Sequence, residues 1–222
     1  MPATVFFLMI TQSQEVNVPV LLTALVFIAS YLLGSIPIGL LLTRAATGRD
    51  IRTIGSGRTG ATNVLRSAGP LASALTILGD GAKGFLAVYL ARLVLGTPVA
   101  EAVAGLVAVF GHNYSVFIQF RGGAGTVATV GGAIALWPWN ALLIALGGGA
   151  IATTRFASVG SISIAIALPI ILAVRAARGD APWVHLVYGV GTSLLTLWAL
   201  RPNIGRLIAG CERRVELQKA GG

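Results

Sequence analysis

The stretch GSGRTGATNVLRSAG, residues 55–69, crowds glycines, serines, threonines, an asparagine and two arginines between two long apolar segments. It reads as a polar loop built for an anion at the edge of a membrane. Arg44, Arg49 and Arg52 precede it, so five arginines fall between positions 44 and 66 with only Asp50 in opposition. That density of positive charge needs a partner.

The apolar segments on either side set the solvent. Of 222 residues, 55% are hydrophobic and 10% charged, against about 25% charged in a soluble domain, and the mean hydropathy is +0.85. Windows long enough to cross about 30 Å of hydrocarbon occur at 19–43, 71–95 and 182–200. A fourth, 99–120, is softened by Glu101, His112 and Asn113, and a fifth, 158–174, is short but uncharged. In 126–154, Trp137, Pro138, Trp139 and Asn140 divide the apolar run. Trp favours the headgroup level and Pro interrupts a helix, so two short helices meeting at an interface are expected there. The fold class is therefore all-α, a polytopic membrane protein with about seven transmembrane helices.

Twelve of the sixteen Lys and Arg lie in 44–66, 121, 155 and 201–219, which alternate onto one face. The positive-inside rule makes that face cytoplasmic, with the N-terminus outside and the C-terminus inside. The expected organisation is an extracytoplasmic segment over 1–18, one membrane domain over 19–207 and a cytoplasmic tail over 208–222. Residues 1–17 lack a basic n-region, so the first helix is expected to be retained as an anchor.

A net charge of +9 raises the question of nucleic acid, but the basic residues are spread over loops with no soluble domain to present them. No nucleic-acid partner is expected; topology and anionic lipid headgroups account for the charge. Cys211 is alone, and two histidines and seven scattered acids offer no metal cluster. Neither a metal nor another cofactor is expected.

Polar groups inside the spans carry the functional signal, since intramembrane charge is costly. Asp80 and Lys83 stand three apart on one helix face, where they can pair; a structural salt bridge and a role at the site weigh equally. His112 and Asn113 end a span and are followed by the Gly-rich turn 121–126, which can expose backbone N–H groups ahead of a helix N-terminus. Ser35, Arg44, the 55–63 loop, Arg155, Ser158, Ser161, Asn203 and Arg206 all fall at the same face in this topology. Each alone has a packing explanation; their convergence points to an anion site.

Familiar motifs fail on context. Residues 55–60 match G-x-G-x-x-G with Asp80 twenty residues beyond Gly60, yet no strand precedes them and Asp80 lies in an apolar span. There is no P-loop and no G-x-S-x-G elbow. His112 is followed five residues later by Phe117 and His185 by Val190, which excludes the acyltransferases marked by a His with Asp at that distance.

Seven elements in order resemble the bacterial integral-membrane acyl-phosphate:glycerol-3-phosphate acyltransferases, the PlsY type. They are LLGSIPIG (32–39), GRDIRTIGSGRTGATNVLRSAG (48–69), the Asp80, Lys83 and Gly84 pattern, GHNYSVF (111–117), RGGAGTVAT (121–129), RFASVGSI (155–162) and RPNIGRL (201–207). The resemblance implies seven transmembrane helices in the bacterial cytoplasmic membrane, with the site facing the cytoplasm. It implies transfer of an acyl group from acyl phosphate to the 1-hydroxyl of glycerol 3-phosphate among membrane lipids, giving lysophosphatidic acid and phosphate. Carried over position by position, it assigns His112, Ser35 and Asn203 to catalysis. It assigns substrate binding to Arg44, Arg52, Gly55, Ser56, Gly57, Arg58, Gly60, Thr62, Asn63, Asn113, Gly122, Gly123, Gly125, Ser158 and Ser161. The proton acceptor is either His112 or a substrate phosphate.

Three positions depart from the family's usual pattern: Ala124 stands where lysine is usual, Arg58 where asparagine is usual, and Leu200 where histidine is usual. Arg58 is expected to supply the charge missing at Ala124. The alternatives are a divergent paralogue with altered or lost activity, an organic-phosphate transporter, and a noncatalytic lipid-binding scaffold.

Overall fold

The computed structural model describes residues 18–215, all helix, turn and loop with no strand among them. Expectations for 1–17, including the outward N-terminus, and for the tail beyond 215 lie outside the described residues. Eight helices follow in order: α1 (Val18–Ser35), α2 (Ile38–Thr47), α3 (Ala61–Leu95), α4 (Pro98–Asn113), α5 (Thr126–Leu136), α6 (Leu142–Thr154), α7 (Ala157–Ala177) and α8 (His185–Ile208). Four stretches are long and apolar enough to cross a membrane by length and composition: Pro19–Thr47, Ala61–Leu95, Pro98–Ile118 and Ala157–Ala177. The C-terminal helix α8, expected from 182–200 as a secure span, is absent from that set. Thr192, Ser193 and Thr196, buried on its inner face, dilute its apolar character.

Proline and glycine place the breaks. The apolar run 19–43 divides into α1 and α2 at Ile36 and Pro37, because proline has no N–H to continue the ladder. Within α3, Gly69 takes φ 84 just before Pro70 and separates a short N-terminal arm from the long apolar helix. The Trp-Pro-Trp-Asn sequence forms a 3-10 turn, Pro138–Ala141, between α5 and α6. There the Asn140 amide donates at 2.7 Å to the Ala133 carbonyl, which also accepts from the Trp137 N–H at 2.9 Å.

Small residues let the helices approach, as expected where lipid offers no hydrophobic drive between them. The most extensive contact is α3 against α5. A Cβ at Gly84 would overlap the Ala128 carbonyl, and one at Gly131 the Gly81 carbonyl. Further along α5, Val130 and Ala133 join Leu143, Ile164, Leu168, Leu172 and Tyr188 in the main core. Large apolar side chains such as Leu25, Leu78, Ile144 and Ile170 point outward, the face a bilayer would cover. At one end of the bundle Arg92 grips Glu101 with two hydrogen bonds, 3.0 and 2.7 Å, and donates to the Ala135 carbonyl at 2.7 Å, stapling α3, α4 and α5.

Candidate active site

At the other end the loop 48–60, the end of α4, the turn before α5, the α6–α7 junction and the end of α8 surround a cavity of about 140 Å³. Three helices begin on its wall: α3 through Gly60, Ala61 and Thr62, α5 through Gly125, Thr126 and Val127, and α7 through Ala157 and Ser158. None of the three has a side chain capping its first turn. Each therefore turns N–H groups and the positive end of its dipole towards the same space. Arg58, Arg66, Arg206 and Arg213 line it as well.

The glycine-rich loop is held open from inside. Asn63 donates from Nδ2 to the carbonyls of Ile54 at 3.0 Å and Arg58 at 2.9 Å, while its Oδ1 accepts from the Ser56 N–H at 3.3 Å. Its amide thus shapes the loop that brings Ser56 and Arg58 to the cavity. Arg58 is half-buried; its Nη1 donates to Asn203 Oδ1 at 3.2 Å and its Nη2 to the Ala199 carbonyl. Burial, then the charges of Arg206 and Arg201, pull its guanidinium below the usual arginine value. Like charges confined in this way favour an anion between them.

On α8 the chain of polar contacts continues into the C-terminal segment. Asn203 Nδ2 donates to Glu212 Oε1 at 2.7 Å and Arg206 Nε to Glu212 Oε2 at 2.8 Å. The Val215 N–H donates to the Arg155 carbonyl at 2.7 Å, and Arg66 donates to the carbonyls of Arg213 and Arg214 at 3.4 and 3.1 Å. These contacts hold residues 212–215 against the cavity, which Glu212 and Arg213 line.

His112 and Asp80 form the inner wall. The imidazole is buried, with Nδ1 3.5 Å from Asp80 Oδ1, and Gly123 packs so close to Nε2 that a Cβ there would overlap it. Lys83 pairs with Asp80 at 3.0 Å.

Ten of the residues assigned from the sequence line this cavity: Ser56, Arg58, Gly60, Thr62, Asn63, His112, Gly125, Ser158, Ser161 and Asn203. Eight do not. Gly122 and Gly123 spend their N–H groups on the Asn113 and His112 carbonyls, both at 3.1 Å, satisfying acceptors at the end of α4. That corrects the expected cradle over 122–125; what faces the cavity is Gly125, at φ 82, and the α5 N-terminus behind it. Arg44 and Arg52 lie outside the lining and are engaged by Asp50, at 2.7 and 2.8 Å. The Arg52 side chain and N–H, and then Arg44, hold the Asp50 carboxyl well below the usual carboxylate range. Gly55 and Gly57 shape the loop with positive φ behind the lining. Asn113 donates to the Leu195 carbonyl at 3.3 Å. Ser35 is fully buried next to Gly111, one layer behind the cavity.

Glu212 was missed because it lies in a basic tail set apart from the membrane domain. A single acid among Arg206, Arg213 and Arg214 was the available signal. Thr126, at the end of the turn 121–126, also lines the cavity, although its residue type alone gave no expectation for it. All three sites of departure, Arg58, Ala124 and Leu200, line the cavity.

A helical membrane bundle whose cavity combines three helix N-termini with several arginines belongs to the class that handles phosphate-bearing substrates at a membrane surface. The glycerol-3-phosphate acyltransferase family matches over residues 24–210. Glycerol-3-phosphate acyltransferase 3 of Dehalococcoides mccartyi is 42% identical over 207 residues, covering 86% of this chain and 94% of the relative. The glycerol-3-phosphate acyltransferase of Desulforudis audaxviator is 40% identical over 192 residues, with 86% and 94% covered. Among solved structures, PlsY, an integral membrane glycerol 3-phosphate acyltransferase, matches in its glycerol 3-phosphate form with TM-score 0.81 at 32% identity, covering 87% of this chain and 96% of that one. Its lysophosphatidic acid form matches with TM-score 0.77 at 31% identity, covering 86% and 94%. The chain belongs to the glycerol-3-phosphate acyltransferase family.

Proposed function

We propose that this protein transfers a fatty acyl group from acyl phosphate to the 1-hydroxyl of glycerol 3-phosphate, releasing lysophosphatidic acid and inorganic phosphate at the cytoplasmic face of a bacterial inner membrane. The observation that carries the reading is the convergence of the α3, α5 and α7 N-termini with Arg58 and Arg206 on one cavity. Family membership and the two matching PlsY forms support it.

In this reading the membrane domain has seven crossings: α1 with α2, then α3, α4, α5, α6, α7 and α8. An outward N-terminus and a cytoplasmic C-terminus follow. The cavity then sits at the cytoplasmic ends, beside the basic loops.

Both substrates are phosphate esters or anhydrides, and acyl phosphate is already activated. Rate acceleration comes from holding the hydroxyl against the acyl carbon and stabilising the charge that develops on the carbonyl oxygen. Arg58, the Gly60 to Thr62 N–H groups and Arg206 hold phosphate; Thr126, Ser158 and Ser161 orient the acyl phosphate. The hydroxyl proton goes to His112 or to a substrate phosphate. The glycerol oxygen forms its bond to the acyl carbon, the carbon–oxygen bond to phosphate breaks, and the proton leaves with the departing phosphate.

The purified protein, given palmitoyl phosphate and labelled glycerol 3-phosphate, is expected to make labelled lysophosphatidic acid. Label accumulating inside sealed proteoliposomes without acylation would instead identify a transporter. Binding without product would identify a divergent member, the reading to which Ala124 and Leu200 in the lining lend weight.

A further inference from the structure

Helix α8 ends at a left-handed glycine, Gly210, with φ 70. The Gly210 N–H donates to the Leu207 carbonyl at 3.1 Å and the Cys211 N–H to the Arg206 carbonyl at 2.9 Å. Such paired bonds close a helix and redirect the chain that follows it. Here they return residues 212–215 to the cavity, where the backbone is pinned. Arg66 donates to the carbonyls of Arg213 and Arg214, and the Val215 N–H donates to the Arg155 carbonyl.

The side chains of this segment differ in what they meet. The Glu212 carboxylate is spent on Asn203 and Arg206. Arg213 lines the cavity yet stays exposed to water. Its guanidinium reaches the start of the glycine-rich loop, since a Cβ at Gly55 would lie 3.9 Å from Arg213 Nη1. Among the described residues that guanidinium makes no hydrogen bond and no ion pair. Five N–H donors and a full positive charge therefore stand at the water-exposed edge of the cavity with nothing on the protein to engage them. Arg214, the next residue, does not line the cavity. Arg213 also falls beyond the stretch 24–210 that matches the family.

We infer that Arg213 is a substrate-binding residue, which grips the phosphate of glycerol 3-phosphate from the water side of the cavity. The inference rests on the acyltransferase reading above. Placement selects this substrate over acyl phosphate. The acyl chain needs apolar surroundings, whereas glycerol 3-phosphate arrives from water, and Arg213 is both exposed and beside the loop whose N–H groups take its phosphate. The charge balance agrees: Arg206 is offset by Glu212 at 2.8 Å, so Arg213 brings an uncompensated cation to a phosphate, the partner a guanidinium binds with charge-assisted bonds. Because the backbone of 212–215 is already pinned, binding has only the Arg213 side chain to order, which lowers its entropic cost.

The test is steady-state kinetics of the purified full chain, wild type, Arg213→Gln and Arg214→Gln, with palmitoyl phosphate and glycerol 3-phosphate. Thermal unfolding of the same samples in detergent is recorded with and without glycerol 3-phosphate. Arg213→Gln is expected to raise KM for glycerol 3-phosphate roughly 10-fold, the low end for a charge-assisted bond because the residue is exposed. Its kcat and its KM for palmitoyl phosphate are expected to stay within about threefold. Its melting temperature without ligand is expected to match the wild type, and the rise on adding glycerol 3-phosphate to shrink. Arg214→Gln is expected to behave as wild type throughout. A KM for glycerol 3-phosphate within about threefold of wild type in Arg213→Gln, or an equal increase in Arg214→Gln, would overturn the inference. The unfolding curves separate that failure from failure of the function on which the inference rests. If the wild type makes no lysophosphatidic acid but glycerol 3-phosphate still raises its melting temperature, the acyltransferase reading fails alone. A rise lost in Arg213→Gln then supports the inference, and a rise retained overturns it. A wild type with neither product nor rise overturns both.

Discussion

Removing Arg58 tests the electrostatics of the cavity most sharply. Its guanidinium has five N–H donors; one is spent on Asn203 Oδ1 at 3.2 Å and another on the Ala199 carbonyl. Donors therefore remain for an anion in the cavity it lines with Ala124. A charge-assisted hydrogen bond contributes about 1.5–3 kcal/mol, so Arg58→Asn should lower kcat/KM for glycerol 3-phosphate roughly 10- to 150-fold. Restoring a cation across the cavity by Ala124→Lys in the same chain should recover most of the loss. The assay is lysophosphatidic acid formation as a function of glycerol 3-phosphate concentration, with all four combinations compared. If Arg58→Asn alone leaves kcat/KM within about threefold of wild type, Arg58 does not carry the charge missing at Ala124. The same conclusion follows if Ala124→Lys recovers nothing.

Gly84→Val drives a side chain into the Ala128 carbonyl, where rigid backbone cannot yield. Thermal unfolding in detergent should show it destabilised by several kcal/mol, towards the top of the usual range for point substitutions. Gly123→Ala meets the far end of the His112 ring instead, so the protein should fold normally while kcat falls, read by melting temperature and turnover on the same sample. Asp50 sets a pH dependence: its folded carboxyl is depressed, so its contribution is fully present above the ordinary Asp value near 3.9. That contribution is lost only as pH falls through the lower folded value. Melting curves from pH 8 to 5 should therefore be unaffected by this group, and Asp50→Asn should cost no more than about 1 kcal/mol, because the pair with Arg44 and Arg52 is solvent-screened.

The expectation of an anion site in the loop 55–63 came from residue types alone, because Gly, Ser and Thr beside arginine offer backbone N–H groups and cations; the structure puts Ser56, Arg58, Gly60, Thr62 and Asn63 on the cavity wall. Its role was sharpened by tertiary geometry: Asn63 turns inward to the loop's own carbonyls, a choice no local pattern reveals. Gly122 and Gly123 misled for a related reason. A Gly-rich turn before a helix offers N–H groups, but whether they face a ligand or the open end of α4 depends on where α4 stops. The break at the Trp-Pro turn was legible because proline acts locally, whereas the break at Pro37 was not expected, since 19–43 read as one apolar run. Glu212 reaches Asn203 and Arg206 only after the chain doubles back from α8, and the 3.5 Å approach of His112 to Asp80 joins residues that are far apart in the sequence.

The most direct test of the central claim is the stoichiometry of a single reaction. Purified protein is incubated with palmitoyl phosphate and labelled glycerol 3-phosphate, and lysophosphatidic acid and inorganic phosphate are quantified together. The expected result is equal amounts of both products from the wild type, and a kcat reduced on the order of 100-fold or more in His112→Gln with glycerol 3-phosphate binding retained. Glycerol 3-phosphate bound by the wild type with neither product formed would contradict the account.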